Sequence, residues 1–276
     1  MGQPDFLIIG ARKSGTTWLY DLLKSHSEIS MAQDRKEVHF FDRYYERGMD
    51  WYQSKFLSTD NKIIGEATPD YLSDSKAPGR IKEVLPEVKL ICMLRNPIDR
   101  AYSSYKYLVQ EKNYQESFQA AVSEEKEILE GGLYYKQLKN YLDYFAKDNL
   151  KIFIFEEVLS AKEEKLQEVC DFLAVAYDLD KKKLDERSNV SQVPRFKFLY
   201  AQGKKIVKRL YDSDLVWVVN FMKKIGLKEL FFANKQSQFP PLTDEIKLEL
   251  QEYYKDDVEK LEKLLAKDLK SIWNLN

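Results

Sequence analysis

Residues 5–23 read DFLIIGARKSGTTWLYDLL, and this stretch decides the fold. The run 6–9 is short and apolar, with β-branched Ile8 and Ile9, the pattern of a strand buried on both faces. Gly10 ends it. After the loop Ala11-Arg12-Lys13-Ser14-Gly15, a helix is predicted from Thr16, with Trp18, Leu19, Leu22 and Leu23 on one face. Such a strand–turn–helix unit aims free backbone N–H groups and the positive end of a helix dipole at one spot, which suits a phosphate. A plain glycine turn requires nothing as rich as R-K-S-G-T-T-W.

The loop is close to the Walker form G-x-x-x-x-G-K-[ST] and departs from it at one place. Counting from Gly10, the second glycine is Gly15, and Thr16 stands where the lysine belongs. The cation sits inside the loop instead, at Lys13. That leaves one ammonium, the hydroxyls of Thr16 and Thr17 and a nest of amides, without an obvious magnesium-binding pair. Residues 9–19, IGARKSGTTWL, resemble the 5′-phosphosulfate loop of sulfotransferases that use 3′-phosphoadenosine 5′-phosphosulfate (PAPS). The resemblance implies that Arg12, Lys13, Ser14, Gly15, Thr16, Thr17 and Trp18 form the donor site, with Lys13 acting in catalysis.

A second anion site is predicted further on. The run 88–94, VKLICML, is strand-like and delivers Arg95 at its tip. Pro97 opens the next helix, where its missing N–H costs nothing, and Asp99 and Ser103 share a face at i, i+4. An arginine and a hydroxyl at a sheet edge suit a terminal phosphate; an aspartate there would have pointed to magnesium. R-N-P-I-D-R-A-Y-S resembles the family's 3′-phosphate motif, whose functional members carry over to Arg95 and Ser103. Tyr134, after a glycine pair, resembles the family's tyrosine near the donor.

The segment 34–42, DRKEVHFFD, places ionisable groups beside aromatic ones. Desolvation by Phe40 and Phe41 would raise the pKa of Glu37, whereas Lys36 and His39 would lower it; the sequence leaves both open. In isolation this is a charged loop on an aromatic cluster. K-E-V-H-F-F-D resembles the catalytic-base segment of heparan-type carbohydrate sulfotransferases, which implies that Glu37 takes the acceptor proton while His39 and Asp42 shape the acceptor site, His39 counting with Glu37 and Lys13 as catalytic. Lys36, Asp70 and Tyr71 are assigned to the acceptor as well, the last two lying just past the predicted strand 62–66, where open α/β sheets place ligands. Two departures from the heparan-type pattern stand out. Ala67 replaces a lysine of the donor site, leaving Lys13 alone or helped by Lys36. In the loop before the last helix, Lys235 matches a family lysine, but Gln236 and Ser237 replace its glycine and arginine.

Strands and helices alternate from residue 5 to 173, with a helix expected over 48–57, another over 114–129, a third from 132 and a strand over 150–155. This predicts right-handed βαβ crossovers. The fold class is α/β: a single domain over 1–276 with a central, mainly parallel β-sheet flanked by helices, P-loop NTPase-like. Residues 1–173 would form the nucleotide-binding core and 174–276 a helical C-terminal part. Within the latter, 204–232 interleaves Lys204, Lys205, Lys208, Arg209, Lys223 and Lys224 with apolar residues. It reads as a surface helix pair or as an interfacial element touching anionic lipid or a lipid-linked acceptor. Thr243 would cap a final helix striped with Ile246, Leu250, Tyr254, Val258, Leu261 and Leu265.

Of the 276 residues, 44% are apolar, enough for a sizeable core. Forty-four basic and 45 acidic side chains nearly cancel, which argues against nucleic acid as a partner. Cys92 and Cys170 lack metal spacing, and His26 and His39 are too few for a histidine zinc site. With no apolar leader and no run near ~20 apolar residues, a soluble cytoplasmic protein is expected. The resemblance implies sulfuryl transfer from PAPS, without a metal, to a hydroxyl or amine of a glycan, glycolipid or small molecule, releasing the 3′,5′-bisphosphate PAP. The alternatives are a catalytically silent PAPS- or PAP-binding protein and a P-loop kinase or NTPase.

Overall fold

In the computed structural model, β1 (Phe6–Gly10) lies at the centre of a five-stranded sheet. Its neighbours are β3 (Ile63–Ala67) and β4 (Lys89–Leu94), and β2 (Ile29–Met31) and β5 (Leu150–Ile154) form the edges. All pairings are parallel. The structure describes residues 2–33, 35–57, 62–112, 114–178, 184, 192–194, 197–213, 215, 218–219, 221–222, 232–236 and 239–275.

The central strands are apolar throughout because both faces are covered. Leu7, Ile9, Leu90, Cys92 and Leu94 pack into one cluster, while Phe6, Ile8, Ile91 and Met93 pack into another on the opposite face. Parallel pairing brings the C-terminal tips of β1, β3 and β4 to one edge. The three loops that leave those tips carry Lys13, Asp70 and Arg95.

The helix Pro97–Lys112 is longer than the motif at its start demands, and the single helix expected over 114–129 is instead two short ones, Phe118–Glu124 and Glu127–Glu130. Ser117 caps the first, its Oγ accepting the N–H of Ala120. Beyond 178 the chain is not wholly helical. Besides the helices Lys197–Asp212, Asp244–Leu265 and Leu269–Trp273 it holds an antiparallel pair, β6 (Gln192–Pro194) with β7 (Phe232–Gln236). Packing also runs across residue 173. Ile246, Leu250, Tyr254, Val258 and Leu261 enter the same cluster as Leu7 and Ile9, and Asp257 accepts the N–H groups of Tyr135 and Lys136 at the start of the helix Tyr134–Leu142.

Among the described residues, no helix is long and apolar enough to cross a membrane. Of the basic stretch 204–232, Ile206 is exposed on its helix, while Lys223, Lys224 and the side chains of Lys204 and Lys208 lie outside the described residues.

Candidate active site

The loop after β1 has the geometry its glycine promises. Lys13 has φ 67° and Gly15 has φ 89°, so the chain turns back on itself before the helix Thr16–Lys24 begins. A side chain at Gly15 would meet the Phe155 ring at 2.7 Å, so only glycine fits here. The amide of Ser14 is taken by the carbonyl of Ala11 at 3.3 Å, and its side chain is fully buried. The nest of amides therefore excludes Ser14 and consists of Gly15–Thr17, the groups at the helix start that lack intrahelical acceptors. Trp18 is half-buried against the second cluster and sends its indole N–H to the carbonyl of Leu184 at 3.4 Å, which makes it packing beneath the loop.

Lys13 holds its ammonium 3.7 Å from the centre of the Tyr107 ring. The guanidinium of Arg95, just past β4, lies on the same edge of the sheet: its Nη1 is 3.4 Å from the Lys13 carbonyl, and its face covers Phe155. Asp99 approaches Arg95 at 3.9 Å, and Ser103 sits half-buried one turn further along the helix. Lys106 joins them. Burial, then the positive charge of Arg95, lower its pKa, partly offset by Asp99. Sequence reasoning missed Lys106, although its i, i+3 spacing from Ser103 puts it on the same helix face. Tyr134 needs correcting as a donor contact: it is fully buried, and its hydroxyl donates to the carbonyl of Arg95 at 2.8 Å, bracing the turn. Lys235 lies on β7, and its side chain is outside the described residues.

Glu37, His39 and Asp42 come together as the motif implies. His39, itself at φ 59°, bridges the two carboxylates, with Nδ1 2.9 Å from Asp42 and Nε2 3.4 Å from Glu37. Burial disfavours the imidazolium, but the bonds to Asp42 and Glu37 outweigh it and push the pKa up to about 9. Burial likewise works to raise Glu37, but the His39 bond and the Lys36 charge prevail and hold it at about 2. The two tendencies left open by the sequence are thus resolved in favour of the ionised pair.

Lys36, assigned to the acceptor and also weighed as a helper of Lys13, takes the second position: its Nζ donates to the Thr17 hydroxyl at 2.7 Å and stands 3.8 Å from Glu37, between the donor loop and the base. Tyr71 also requires correction as an acceptor contact. It is fully buried and donates to Glu66 at 2.6 Å, while the N–H of Phe40 donates to Tyr71 at 2.9 Å. Thr68 works in the same way, donating to Glu66 at 2.6 Å and accepting the N–H of Val38 at 3.1 Å. Tyr52 supplies a third hydroxyl to Glu66, at 2.5 Å. The fully buried Glu66, its pKa raised by desolvation, is thus the anchor from which the segment carrying Glu37 and His39 hangs. An acid inside an apolar strand was the available signal, since a buried carboxylate demands partners.

Asp70 is bracketed by Arg12 at 3.1 Å and Arg43 at 2.6 Å. His39, Asp42 and Asp70 offer ligand atoms within 4.8 Å of one another, a spacing open to a metal ion. The two arginines already bring Asp70 the positive charge such an ion would supply. A cleft of about 630 Å³ opens beside this group, running from Arg12, Lys13 and Asp42 to the helices that carry Glu127 and Gln137.

Lys13 and Arg95 thus stand on adjacent strand tips, and Lys36 joins the start of the first helix to an ionised acid–imidazole pair beside an open cleft. The sulfotransferase domain family matches residues 3–264, and the chain belongs to that family. Human heparan sulfate glucosamine 3-O-sulfotransferase 6 is 34% identical over 181 residues, covering 62% of this chain and 52% of that protein. Human bifunctional heparan sulfate N-deacetylase/N-sulfotransferase 3 is 27% identical over 289 residues, covering 96% of this chain and 30% of that one. The chain thus spans about half the length of the first relative, or less in the second. The sulfotransferase from Alicyclobacillus acidocaldarius superposes on 99% of this chain with a TM-score of 0.71 and 25% identity, covering 100% of its own length. The kinship with heparan-type enzymes read from K-E-V-H-F-F-D and the P-loop-like fold both stand.

Proposed function

We propose that this chain transfers a sulfuryl group from PAPS to an acceptor hydroxyl or amine, with Glu37 receiving the proton. One observation carries the reading: Arg95 Nη1 lies 3.4 Å from the Lys13 carbonyl, so the residues assigned to the 3′-phosphate adjoin those assigned to the 5′-phosphosulfate. The Gly15–Thr17 amides and Lys13 hold the 5′ end, and Arg95, Ser103 and Lys106 hold the 3′-phosphate. Lys36, already on Thr17, supplies the second cation that Ala67 lacks.

The acceptor heteroatom attacks sulfur, the sulfur–oxygen bond to the 5′-phosphate breaks, and PAP leaves with the electron pair. Lys13 and Lys36 stabilise charge building on the departing oxygen. A base with a pKa of about 2 is weak. Donor binding corrects this: its anionic groups engage Lys36, and the carboxylate loses part of the positive field that depresses it. Base strength is therefore coupled to the presence of the donor.

PAP is expected to raise the melting temperature far more than AMP or ATP does; equal shifts overturn the 3′-phosphate assignment. Labelled-sulfate transfer from PAPS to an acceptor panel separates the enzyme from a silent binder.

A further inference from the structure

The peptide unit between Arg95 and Asn96 is pinned at both ends. Its carbonyl accepts the Tyr134 hydroxyl at 2.8 Å, and its N–H, on Asn96, donates to Glu156 Oε1 at 3.0 Å. A peptide unit is planar, so holding both of its polar groups restrains ψ of Arg95 and φ of Asn96. The direction in which the Arg95 side chain leaves the tip of β4 is set with them. Asn96 Oδ1 accepts the N–H groups of Ile98 at 2.9 Å and Asp99 at 3.4 Å, which caps the start of the helix that carries Ser103 and Lys106.

The tether continues to the helix Leu269–Trp273, which lies past residue 264, where the family match ends. Glu156, in the helix Phe155–Ser160 that follows β5, accepts the Trp273 indole N–H on Oε2 at 2.9 Å. The Trp273 carbonyl in turn accepts Asn96 Nδ2 at 2.7 Å. Asn96, Glu156 and Trp273 thus close a ring of hydrogen bonds. Trp273 is 2% exposed, and its ring lies 6.2 Å from that of Tyr134. The donor at one end of the pinned peptide unit and the acceptor at the other therefore both pack against Trp273. Apolar burial of Leu269 and the ion pair of Lys267 with Glu157 already hold this helix to the body of the protein. Directional bonds in a closed ring add orientation to that attachment.

Resting on the assignment of Arg95, Ser103 and Lys106 to the 3′-phosphate above, we propose that Glu156 and Trp273 are positioning residues for that phosphate. Through Asn96 they aim Arg95 and seat the start of the helix bearing the other two, and so set the preference for a 3′-phosphorylated nucleotide.

The test titrates the full chain with PAP and with AMP, and follows KM and kcat for PAPS in labelled-sulfate transfer. Glu156→Gln puts an amide where two N–H donors need acceptors; Trp273→Phe keeps a ring and removes the indole N–H. Each should weaken PAP by ~10-fold, the scale of one charge-assisted hydrogen bond. AMP binding should hold, which also shows that the variants are folded, and KM for PAPS should rise with kcat little changed. Lys267→Ala is the control: it cuts the ion pair to Glu157 and loosens the same helix without touching the ring. It should leave the ratio of PAP to AMP affinity as it is. An unchanged ratio in both ring variants overturns the proposal even if their melting temperatures fall, as does an equal loss in Lys267→Ala. Neither result touches the 3′-phosphate assignment, which falls instead, and the proposal with it, if the unaltered chain binds AMP as tightly as PAP.

Discussion

The two halves of the site are built differently. The donor half hangs on the tips of β1 and β4, strands that pair directly from Phe6↔Lys89 onward and are buried on both faces. The acceptor half hangs on the loop 35–39 and the π-helical turn Phe40–Tyr44, held through the hydroxyls of Thr68 and Tyr71 by one buried carboxylate. Phosphate recognition needs backbone amides and a fixed cation, which a strand tip and a helix start supply from a few consecutive residues. Acceptor recognition and proton removal need side chains at set angles, which loops provide only with support from elsewhere. Damage to each half should therefore leave a different signature.

The largest contrast comes from Glu37→Gln. The amide keeps the shape and loses the base, so turnover should fall by ~10²–10⁴, while PAP binding stays within a few fold. Single-turnover sulfate transfer and a PAP titration measure the two arms; near-normal turnover removes Glu37 from the base role. Arg95→Gln should do the reverse. Loss of a charge-assisted contact worth ~1.5–3 kcal/mol weakens PAP by roughly 10–100-fold and erases its preference over AMP, with the rate at saturating PAPS much less affected. If the rate at saturation collapses instead, the two halves are not separable.

The same contrast explains what the sequence revealed. The positions of Lys13, Gly15 and Arg95 just past the tips of β1 and β4 were legible because apolar runs mark where those strands end, and neighbouring residues repeat the message. The fold was legible for the same reason: apolar runs at 6–9 and 88–94 leave no polar face to mistake. Lys36 was read both as an acceptor residue, beside Glu37 in sequence, and as a helper of Lys13; the chain turns there and its side chain crosses to Thr17. Tyr71 follows a strand end and looked available, but its hydroxyl is the one that Glu66 and Phe40 both need. Sequence distance hid the partner, since Tyr52 and Glu66 meet only in the folded chain. The β6–β7 pair went unread because its strand over 192–194 is only three residues long, below the length at which alternation can be seen.

Tyr71→Phe sharpens the comparison from inside the protein. It removes one donor to Glu66 and strands the N–H of Phe40, both buried, so stability should fall by ~1–3 kcal/mol in urea unfolding. The acceptor half should loosen with it, seen as a rise in acceptor KM, while PAP affinity holds. Weakened PAP binding of the same size would show that the Glu66 network supports both halves.

The smallest effect is a matter of pH. His39 titrates near 9 in the folded chain against an ordinary 6.5, because the bonds to Asp42 and Glu37 outweigh its burial. A raised pKa means that the imidazolium stabilises the fold fully below 6.5 and that this contribution is lost as pH rises through 9. Glu37 works in the opposite window: lowered to about 2 from 4.5, its contribution is present above 4.5 and disappears as pH falls through 2. With 43% of its side chain exposed, solvent screens most of that second contribution. The alkaline limb is therefore the one to measure. Asparagine tolerates the left-handed backbone that His39 adopts at φ 59°, so His39→Asn keeps the turn and removes the charge. The stability gap between the unaltered chain and this variant should shrink by on the order of 1 kcal/mol between pH 6.5 and 9. A gap that stays constant across that window means that His39 is neutral in the fold, and with it goes the ionised pair on which the donor-coupled base depends.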